Sequence, residues 1–203
     1  MARVLLLRHG ETEWSRTGRH TGLTDIALTP AGEAEARRAA GLLAGLQPLL
    51  VLSSPLQRAR RTAELVGLAA RGPVETDADL VEWDYGKAEG RTRAEICADH
   101  PGWSIWADGG PGGESPAEVG SRLDRVLARI RPLIPPPEAE GSADPEPLVV
   151  LVGHGHALRV LTARWLGLEP AAGGLFRLDT AALGILGFEH ARPVLQAWNV
   201  AAT

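Results

Sequence analysis

The chain has 203 residues, of which 44% are hydrophobic, and a formal net charge of −4. This length and composition predict one domain, residues 1–203, with a full hydrophobic core, and the negative charge argues against nucleic acid as a partner. No apolar stretch is long enough to cross a bilayer and no signal peptide is recognisable, so we expect no membrane partner. Cys97 is the single cysteine, which favours a reducing, cytoplasmic location.

Short apolar runs that alternate with helix signals indicate an α/β sheet whose buried strands are mostly parallel. The runs are Val4–Leu7, Leu49–Leu52 and Leu148–Val152, with a shorter candidate at Val74–Thr76. Helices between such strands cover both faces of the sheet. The sequence therefore predicts a three-layer α/β/α fold.

Helix signals follow each of the longer runs. Residues 29–46 form one predicted helix, and residues 157–166 form another. After the second run, Ser54 is predicted to cap a helix that has Pro55 at its first position and ends near Gly67.

The C-terminal half departs from this alternation. Residues 82–114 are predicted to form an insert, or lid, with a short helix at 93–99. Ser115 begins a capping box for the helix that follows. Residues 135–147 are rich in proline and acid and predict an exposed, mobile loop. Two apolar runs within 181–198 predict an antiparallel hairpin at the sheet edge, through which two copies could pair as a homo-oligomer.

Arginines and histidines follow the ends of the predicted strands. Arg8 and His9 follow the first strand, Arg58 lies in the first turn of the helix after the second, and His154 follows the third. Because ligands of open parallel sheets bind beyond the carboxyl ends of the strands, we expect these side chains to meet. Arginine binds phosphate oxygens in a bidentate way and a helix N-terminus adds backbone donors, so the cluster predicts a phosphoryl-binding site.

A zinc site is the competing interpretation of the histidines. His9, His154 and His156 could all be ligands. Two neighbouring arginines would repel the cation, and the sequence offers no clear further ligands, so we predict no metal.

The same cluster suggests a reaction. A neutral imidazole can attack phosphorus, and His9 is the preferred nucleophile because Arg8 and Gly10 flank it. The leaving oxygen then needs a proton. Glu82 is a candidate donor, and Asp84 and Glu11 compete with it on composition alone.

These residues together resemble the histidine phosphatase superfamily, the phosphoglycerate-mutase-like proteins. The matching blocks run in order along nearly the whole chain and include residues 8–12, 18–25, 28–32, 53–59, 82–90, 112–115 and 152–155. The resemblance implies that His9 is the nucleophile and that Glu82 is the proton donor and then the base. It implies that Arg8, Arg58 and His154 form the phosphate pocket.

The resemblance also extends to the rest of the pocket. It implies that Ser15, Thr21, Gly22 and Gly155 help to line it. It implies neither a metal nor an organic cofactor.

Residues 82–86, Glu-Trp-Asp-Tyr-Gly, resemble a phosphatase branch that includes broad-specificity acid phosphatases and sugar-bisphosphate phosphatases. Cofactor-dependent phosphoglycerate mutases instead resemble Glu-Arg-His-Tyr-Gly here and have a longer, more basic insert. The resemblance therefore favours hydrolysis of a small phosphorylated metabolite over the alternative of a mutase. A non-catalytic phosphoryl-binding module is a second alternative, although such a module would need no proton donor.

Several side chains near these blocks are candidates for specificity. They are Trp14, Arg19, His20, Trp83 and Tyr85, of which all but Arg19 are expected on the leaving-group side. Arg19 and His20 could instead bind a second phosphate, as a sugar bisphosphate would require. Trp103 and Trp106 of the insert either join them or pack the lid.

Overall fold

A computed structural model of the protein describes residues 3–136 and 147–202. The strands in these ranges are β1 (Arg3–Arg8), β2 (Leu50–Ser53), β3 (Val74–Thr76), β4 (Leu148–Gly153), β5 (Leu183–Glu189) and β6 (Arg192–Val200). They form one sheet in the order β3-β2-β4-β1-β5-β6. The pairs among β1 to β4 are parallel, whereas β5 is antiparallel to both β1 and β6. The predicted parallel sheet with an antiparallel C-terminal edge is therefore confirmed.

The helices connect these strands and pack on the sheet. In the same described ranges they are α1 (Glu13–Arg16), α2 (Pro30–Ala39), α3 (Gln57–Leu65), α4 (Arg93–Asp99), α5 (Ile105–Asp108), α6 (Pro116–Ile130) and α7 (Gly155–Trp165). None of the helices in these ranges is both long enough and apolar enough to cross a membrane.

Both faces of the sheet are buried, as the side chains of β1 illustrate. Val4 and Leu6 pack in the hydrophobic cluster that includes α6 and α7, whereas Leu5 and Leu7 pack in the cluster that includes α2 and α3. Successive side chains of a strand point to opposite faces, so a continuous apolar run requires cover on both sides. Helices therefore cover both faces of the sheet, which gives the three-layer arrangement.

The helix predicted over residues 29–46 is shorter than expected. α2 ends at Ala39, and the chain continues as a 3₁₀ turn over Ala40–Leu43. Gly41 weakens the next helical turn, and Gly45 adopts a positive φ of 75°, which ends any further helix.

The predicted cap of the next helix is wrong. α3 begins at Gln57 with Leu56 as its N-cap, and the Gln57 N–H donates to Oδ1 of Asp25 at 2.8 Å. The Ser54 hydroxyl accepts from the Leu56 N–H, before the helix, at 3.3 Å and lies 2.7 Å from Nε2 of His154 at the neighbouring strand end. A tertiary contact has displaced the local capping interaction.

The start of α7 also differs from the prediction. The helix begins at Gly155, two residues before the expected start, and His154 is its N-cap in an extended conformation. Glycine is a poor helix former, so the sequence favoured a later start. The earlier start places the N–H groups of His156 and Ala157 in the first turn, where they have no partner within the helix.

The remaining predicted elements lie where they were expected. The strand β3, the helix α4, the capping box of Ser115 on α6 and the hairpin of β5 and β6 are confirmed. The insert over residues 82–114 contains α4 and α5, and its action as a lid stays a prediction. Most of the loop predicted over 135–147 lies outside the described residues.

The central strand β4 provides a test of the core. Leu151 is fully buried between layers, whereas Leu49 is 63% exposed. We expect Leu151→Ala to lower the free energy of unfolding by about 2–5 kcal/mol, because the substitution leaves a cavity that the close-packed core fills only partly. The same substitution at Leu49 should change it by less than about 0.5 kcal/mol. Urea unfolding followed by circular dichroism measures both, and equal losses would contradict this arrangement of the core.

Candidate active site

The carboxyl ends of the parallel strands bring the predicted residues together. β4 lies between β1 and β2, and Arg8 at the end of β1 is in register with Gly153 at the end of β4. The residues that follow, His9 and His154, therefore become neighbours, with ring centroids 5.2 Å apart. The two histidines are separated by 145 positions in the sequence (154 minus 9) and meet through strand register alone.

One hydrogen bond decides the tautomer of His9. Its Nδ1 lies 2.7 Å from the carbonyl oxygen of Gly10. Because a carbonyl oxygen only accepts, Nδ1 carries the proton and Nε2 keeps its lone pair. Burial, and then the charges of Arg58 and Arg8, hold the pKa of His9 well below its ordinary value of 6.5. The ring is therefore neutral near pH 7.

The turn after β1 accepts only glycine at position 10. A Cβ atom on Gly10 would lie 2.2 Å from the carbonyl oxygen of Gly32 in α2. The Gly10 N–H donates to the Thr62 hydroxyl of α3 at 3.2 Å. Contacts to two helices thus fix the carbonyl that orients the His9 ring.

Arg8 lies beside His9 with an incomplete set of partners. It donates through Nη1 to the carbonyl oxygen of Leu178 at 2.6 Å. Its buried Nε–H has no hydrogen-bond partner among the described residues. Cζ and Nε would lie 3.3 Å from a Cβ on Gly155, so glycine lets the guanidinium approach the start of α7. An anion in the cleft would supply the partner that a buried donor needs.

Arg58 is fully buried and holds the loop before it by hydrogen bonds to the backbone. Nη1 donates to the carbonyl oxygen of Thr24 at 2.9 Å. Nη2 donates to those of Thr21 and Gly22 at 3.2 and 2.8 Å. Nε donates to Nδ1 of His154 at 3.2 Å. The buried charge is thus surrounded by oriented dipoles and joins three segments of the site.

His154 is held as the opposite tautomer to His9. Arg58 donates to its Nδ1, so the ring proton lies on Nε2, which points at the Ser54 hydroxyl 2.7 Å away. Burial, followed by the charge of Arg58, keeps the pKa of His154 well below its usual range. The hydrogen bond predicted from His154 to a phosphoryl group therefore requires Nε2 to leave Ser54.

The carboxyl group of Glu82 binds the N-terminus of α7. Oε1 accepts from the N–H groups of Trp83 and Ala157 at 2.9 and 2.8 Å, and Oε2 accepts from that of His156 at 3.0 Å. A carboxyl has about four acceptor positions, so Oε2 keeps one for a proton or a ligand.

The backbone of Glu82 is held by an ion pair that the sequence did not reveal. Arg122 of α6 is buried and contacts Glu114 at 2.7 Å. Its guanidinium donates to the carbonyl oxygens of Asp79, Val81 and Glu82 at 2.7, 2.9 and 3.1 Å. One sequence signal could have identified Arg122: it is a long charged side chain on the apolar face of the amphipathic helix α6.

These groups surround an open cleft with a volume of about 180 Å³. The predicted residues that line it are Arg8, His9, Ser15, Arg19, His20, Thr21, Glu82, Tyr85 and Gly155. Sequence reasoning missed Gly18, Arg159 and Leu178 on the wall, and it considered His156 only as a zinc ligand. Arg58 and His154 are fully buried and lie behind His9.

Two residues expected in the phosphate pocket have other partners. The Ser15 hydroxyl accepts from the Thr12 N–H at 2.8 Å and donates to the Thr12 carbonyl at 3.0 Å, which caps α1. The Gly22 N–H donates to both carboxylate oxygens of Glu89 at 2.9 Å. A Cβ on Gly22 would lie 2.5 Å from the Trp83 carbonyl oxygen. Gly22 therefore supports Arg58 from behind the wall of the cleft.

The tryptophans named as specificity candidates support the wall instead of forming it. Trp83 is fully buried, and its indole N–H donates to the Glu114 carbonyl at 2.8 Å. Trp14 packs against Gly90, at 3.1 Å from where a Cβ would stand. Trp103 is buried as well, whereas Trp106 is half-buried beside His156, with ring centroids 5.0 Å apart.

The whole chain, and not only the residues of the site, is similar to known proteins. The family model described as "Histidine phosphatase superfamily (branch 1)" matches residues 4–201. The chain belongs to the histidine phosphatase superfamily. The predicted family is thus confirmed, and the six-stranded fold is the one shared by structural neighbours within it.

Relatives within the superfamily include several phosphatases. An acid phosphatase of Mycobacterium tuberculosis is 43% identical over 190 residues, which cover 93% of this chain and 87% of that protein. Sedoheptulose 1,7-bisphosphatase of Saccharomyces cerevisiae is 38% identical over 188 residues, 82% of this chain and 68% of that protein. The solved structure of a mycobacterial glucosyl-3-phosphoglycerate phosphatase in complex with VO3 has a TM-score of 0.85 at 33% identity and covers 99% of this chain and 100% of that one.

The buried histidines of the site predict a pH dependence of stability. Burial lowers the pKa values of His9, His154 and His156 in the folded protein. Below about pH 6.5 the unfolded chain binds protons that the folded protein does not, so the free energy of unfolding falls as the pH falls. The slope is at most about 1.4 kcal/mol per pH unit for each histidine.

Urea unfolding between about pH 5 and pH 7.5 measures this slope. The variant His154→Asn should lose the contribution of one histidine to this slope and keep the contributions of the other two. A free energy of unfolding that stays constant over this window would show that the rings titrate normally.

Proposed function

We propose that the protein is a phosphatase that hydrolyses small phosphomonoesters through a phosphohistidine on His9, without a metal or an organic cofactor. The observation that carries the proposal is the 2.7 Å contact between Nδ1 of His9 and the Gly10 carbonyl. In the neutral ring this contact leaves the lone pair on Nε2, which makes no hydrogen bond to a described residue at the wall of the cleft. We further propose that the protein acts in the cytoplasm on a small phosphorylated metabolite.

In the first step, Nε2 of His9 attacks phosphorus and the bond from phosphorus to the ester oxygen breaks. Arg8 stabilises the phosphoryl oxygens through its Nε–H, which has no hydrogen-bond partner among the described residues. The leaving oxygen takes a proton from Oε2 of Glu82, the carboxyl oxygen with an unused position. The alcohol then departs from the open side of the cleft.

In the second step, water attacks the phosphohistidine and the bond between phosphorus and nitrogen breaks. Glu82 accepts the proton of that water, which restores its starting state, and phosphate leaves. His154 packs edge-on against the His9 ring and orients it, and Arg58 adds positive potential to the pocket. Each proton that Glu82 donates in the first step returns to it in the second.

Two alternative functions fit the site of this chain less well than hydrolysis does. A mutase would return the phosphoryl group from His9 to a bound acid and exclude water, whereas this cleft is open. A non-catalytic phosphoryl-binding module would not need Glu82 beside the phosphate with one acceptor position free. The phosphatase relatives and the Glu-Trp-Asp-Tyr-Gly block at 82–86 also support hydrolysis.

Removal of the nucleophile tests the covalent step. We expect His9→Ala to lower the kcat for an aryl phosphate by at least about a thousandfold, because the nucleophile is lost. His100→Ala, at an exposed histidine away from the cleft, should retain full activity. Rapid-quench phosphate release from a labelled substrate measures both variants and shows whether label is bound to the wild-type enzyme.

Two results would count against this function. Phosphate release by His9→Ala equal to that of the wild type would remove His9 from the reaction. Isomer exchange of phosphoglycerate, supplied with its bisphosphate cofactor, at a rate above that of phosphate release would indicate a mutase.

The role of Glu82 predicts a dependence on the leaving group. We expect Glu82→Gln to lower kcat/KM for an alkyl phosphate by about 10²- to 10⁴-fold, since a poor leaving group needs the proton. An aryl phosphate with an acidic phenol should lose much less. The ratio of the two constants corrects for any change in folding or phosphate binding. Equal losses on both substrates would exclude Glu82 as the acid.

A further inference from the structure

The peptide group between Gly10 and Glu11 is hydrogen-bonded on both of its sides. Its carbonyl oxygen accepts the proton of His9 Nδ1 at 2.7 Å. Its N–H donates to Oε2 of Glu35, a residue of α2, at 2.9 Å. The peptide is trans and therefore planar, with the N–H and the C=O pointing in opposite directions. A hydrogen bond that fixes the N–H thus also fixes the direction of the carbonyl.

The other hydrogen bonds of this loop hold the two neighbouring peptides. The Gly10 N–H, which belongs to the preceding peptide, donates to the Thr62 hydroxyl at 3.2 Å. The Glu11 carbonyl, which belongs to the following peptide, accepts from the Thr29 N–H at 2.9 Å. Glycine permits a wide range of backbone angles, so these two contacts by themselves do not set the angle of the peptide between them. Glu35 supplies the hydrogen bond that does.

Glu35 reaches this peptide because Gly32 lets α2 lie against the loop. A Cβ atom on Gly32 would stand 2.6 Å from the Glu11 nitrogen, so the helix can approach only with glycine there. Residues three apart on a helix share a face, which places Glu35 beside the same nitrogen. The half-buried carboxylate of Glu35 forms no ion pair with a described residue, and its hydrogen bond is to the backbone.

We propose that Glu35 is a positioning residue for His9. By binding the Glu11 N–H, it directs the Gly10 carbonyl at Nδ1 of the ring, which keeps the proton there and the lone pair on Nε2. A neutral imidazole has one protonated nitrogen, so loss of the carbonyl acceptor lets the proton lie on Nε2 and removes the nucleophilic lone pair. Hydrogen bonds in series also strengthen one another, so Glu35 strengthens the bond from Nδ1.

This inference rests on the proposed phosphatase function and concerns the step in which His9 attacks phosphorus. Glu35 does not line the cleft, so it acts through the peptide and not on the substrate. Its loss should therefore lower kcat for an aryl phosphate while changing KM little, because Arg8 still binds the phosphoryl group.

Three variants separate the acceptor from the charge. Glu35→Gln keeps an oxygen that can accept from the N–H, and its kcat should stay within about threefold of the wild type. Glu35→Met removes the acceptor at nearly the same length, and its kcat should fall by about 10- to 100-fold, as for the loss of a hydrogen bond to a charged group. Glu35→Asp keeps the charge but withdraws the acceptor by one methylene, so its kcat should fall in the same direction.

The ¹⁵N NMR signals of the histidine rings report the tautomer. Couplings to the ring protons distinguish a protonated nitrogen from one with a lone pair, and the spectrum of His9→Ala identifies the signals of His9. We expect Nδ1 to be protonated in the wild type and in Glu35→Gln, and the form protonated on Nε2 to increase in Glu35→Met. A purely structural role of Glu35 would lower stability without changing these signals.

The control is Glu33→Met, on the same helix, at a carboxylate that forms ion pairs with Arg37 and Arg61 at the surface. It should leave kcat and the His9 signals unchanged. Thermal unfolding compares the stability of all variants. If Glu35→Met does not fold, Glu35→Asp provides the same test with a charged side chain in place.

The outcomes separate this inference from the function on which it rests. A fall in kcat without a change of tautomer, or an equal fall in Glu35→Gln and Glu35→Met, would overturn the positioning role. If the wild type hydrolyses no phosphomonoester but the tautomer of His9 still changes in Glu35→Met, the phosphatase function fails and the positioning role stands. If hydrolysis occurs and neither kcat nor the tautomer changes in Glu35→Met, the function stands and the positioning role fails.

Discussion

The buried guanidinium of Arg58 is the interaction on which the site depends. Its charge is stabilised by the carbonyl oxygens of Thr21, Gly22 and Thr24, so the loop must keep its shape for as long as the arginine is buried. The same group donates to His154 and selects its tautomer. Its charge also helps to lower the pKa of His9. One ion therefore links loop geometry, tautomer choice and the neutrality of the candidate nucleophile.

The N-terminus of α7 organises the other half of the site. Its free N–H groups bind Glu82, and Gly155 leaves room for Arg8. The carboxyl group of Glu82 and the guanidinium of Arg8 thus meet at one helix end. The ion pair of Arg122 and Glu114 holds the opposite side of Glu82. Removing either partner would leave an uncompensated buried charge.

The outer wall of the cleft differs in character from the inner one. His20, Tyr85, His156 and Trp106 form a continuous group of ring contacts, edge-to-face except for the parallel pair of His20 and His156, and Arg159 lies over the Trp106 ring. Neutral partners fix the position of a cation while preserving its field, whereas a carboxylate would cancel it. The names of the phosphatase relatives specify different substrates.

The sequence by itself determined the sheet, its parallel strands and the meeting of Arg8, His9, Arg58 and His154, because strand ends with a common direction share one edge. The choice of Glu82 as proton donor needed the family resemblance, because composition alone did not distinguish it from Asp84 and Glu11. Only the tertiary structure decided that Ser54 binds His154 instead of capping α3, that α7 begins at Gly155, and that Arg159 faces the cleft. These outcomes depend on contacts between segments far apart in the chain, whose energies exceed the local preferences that a sequence pattern records.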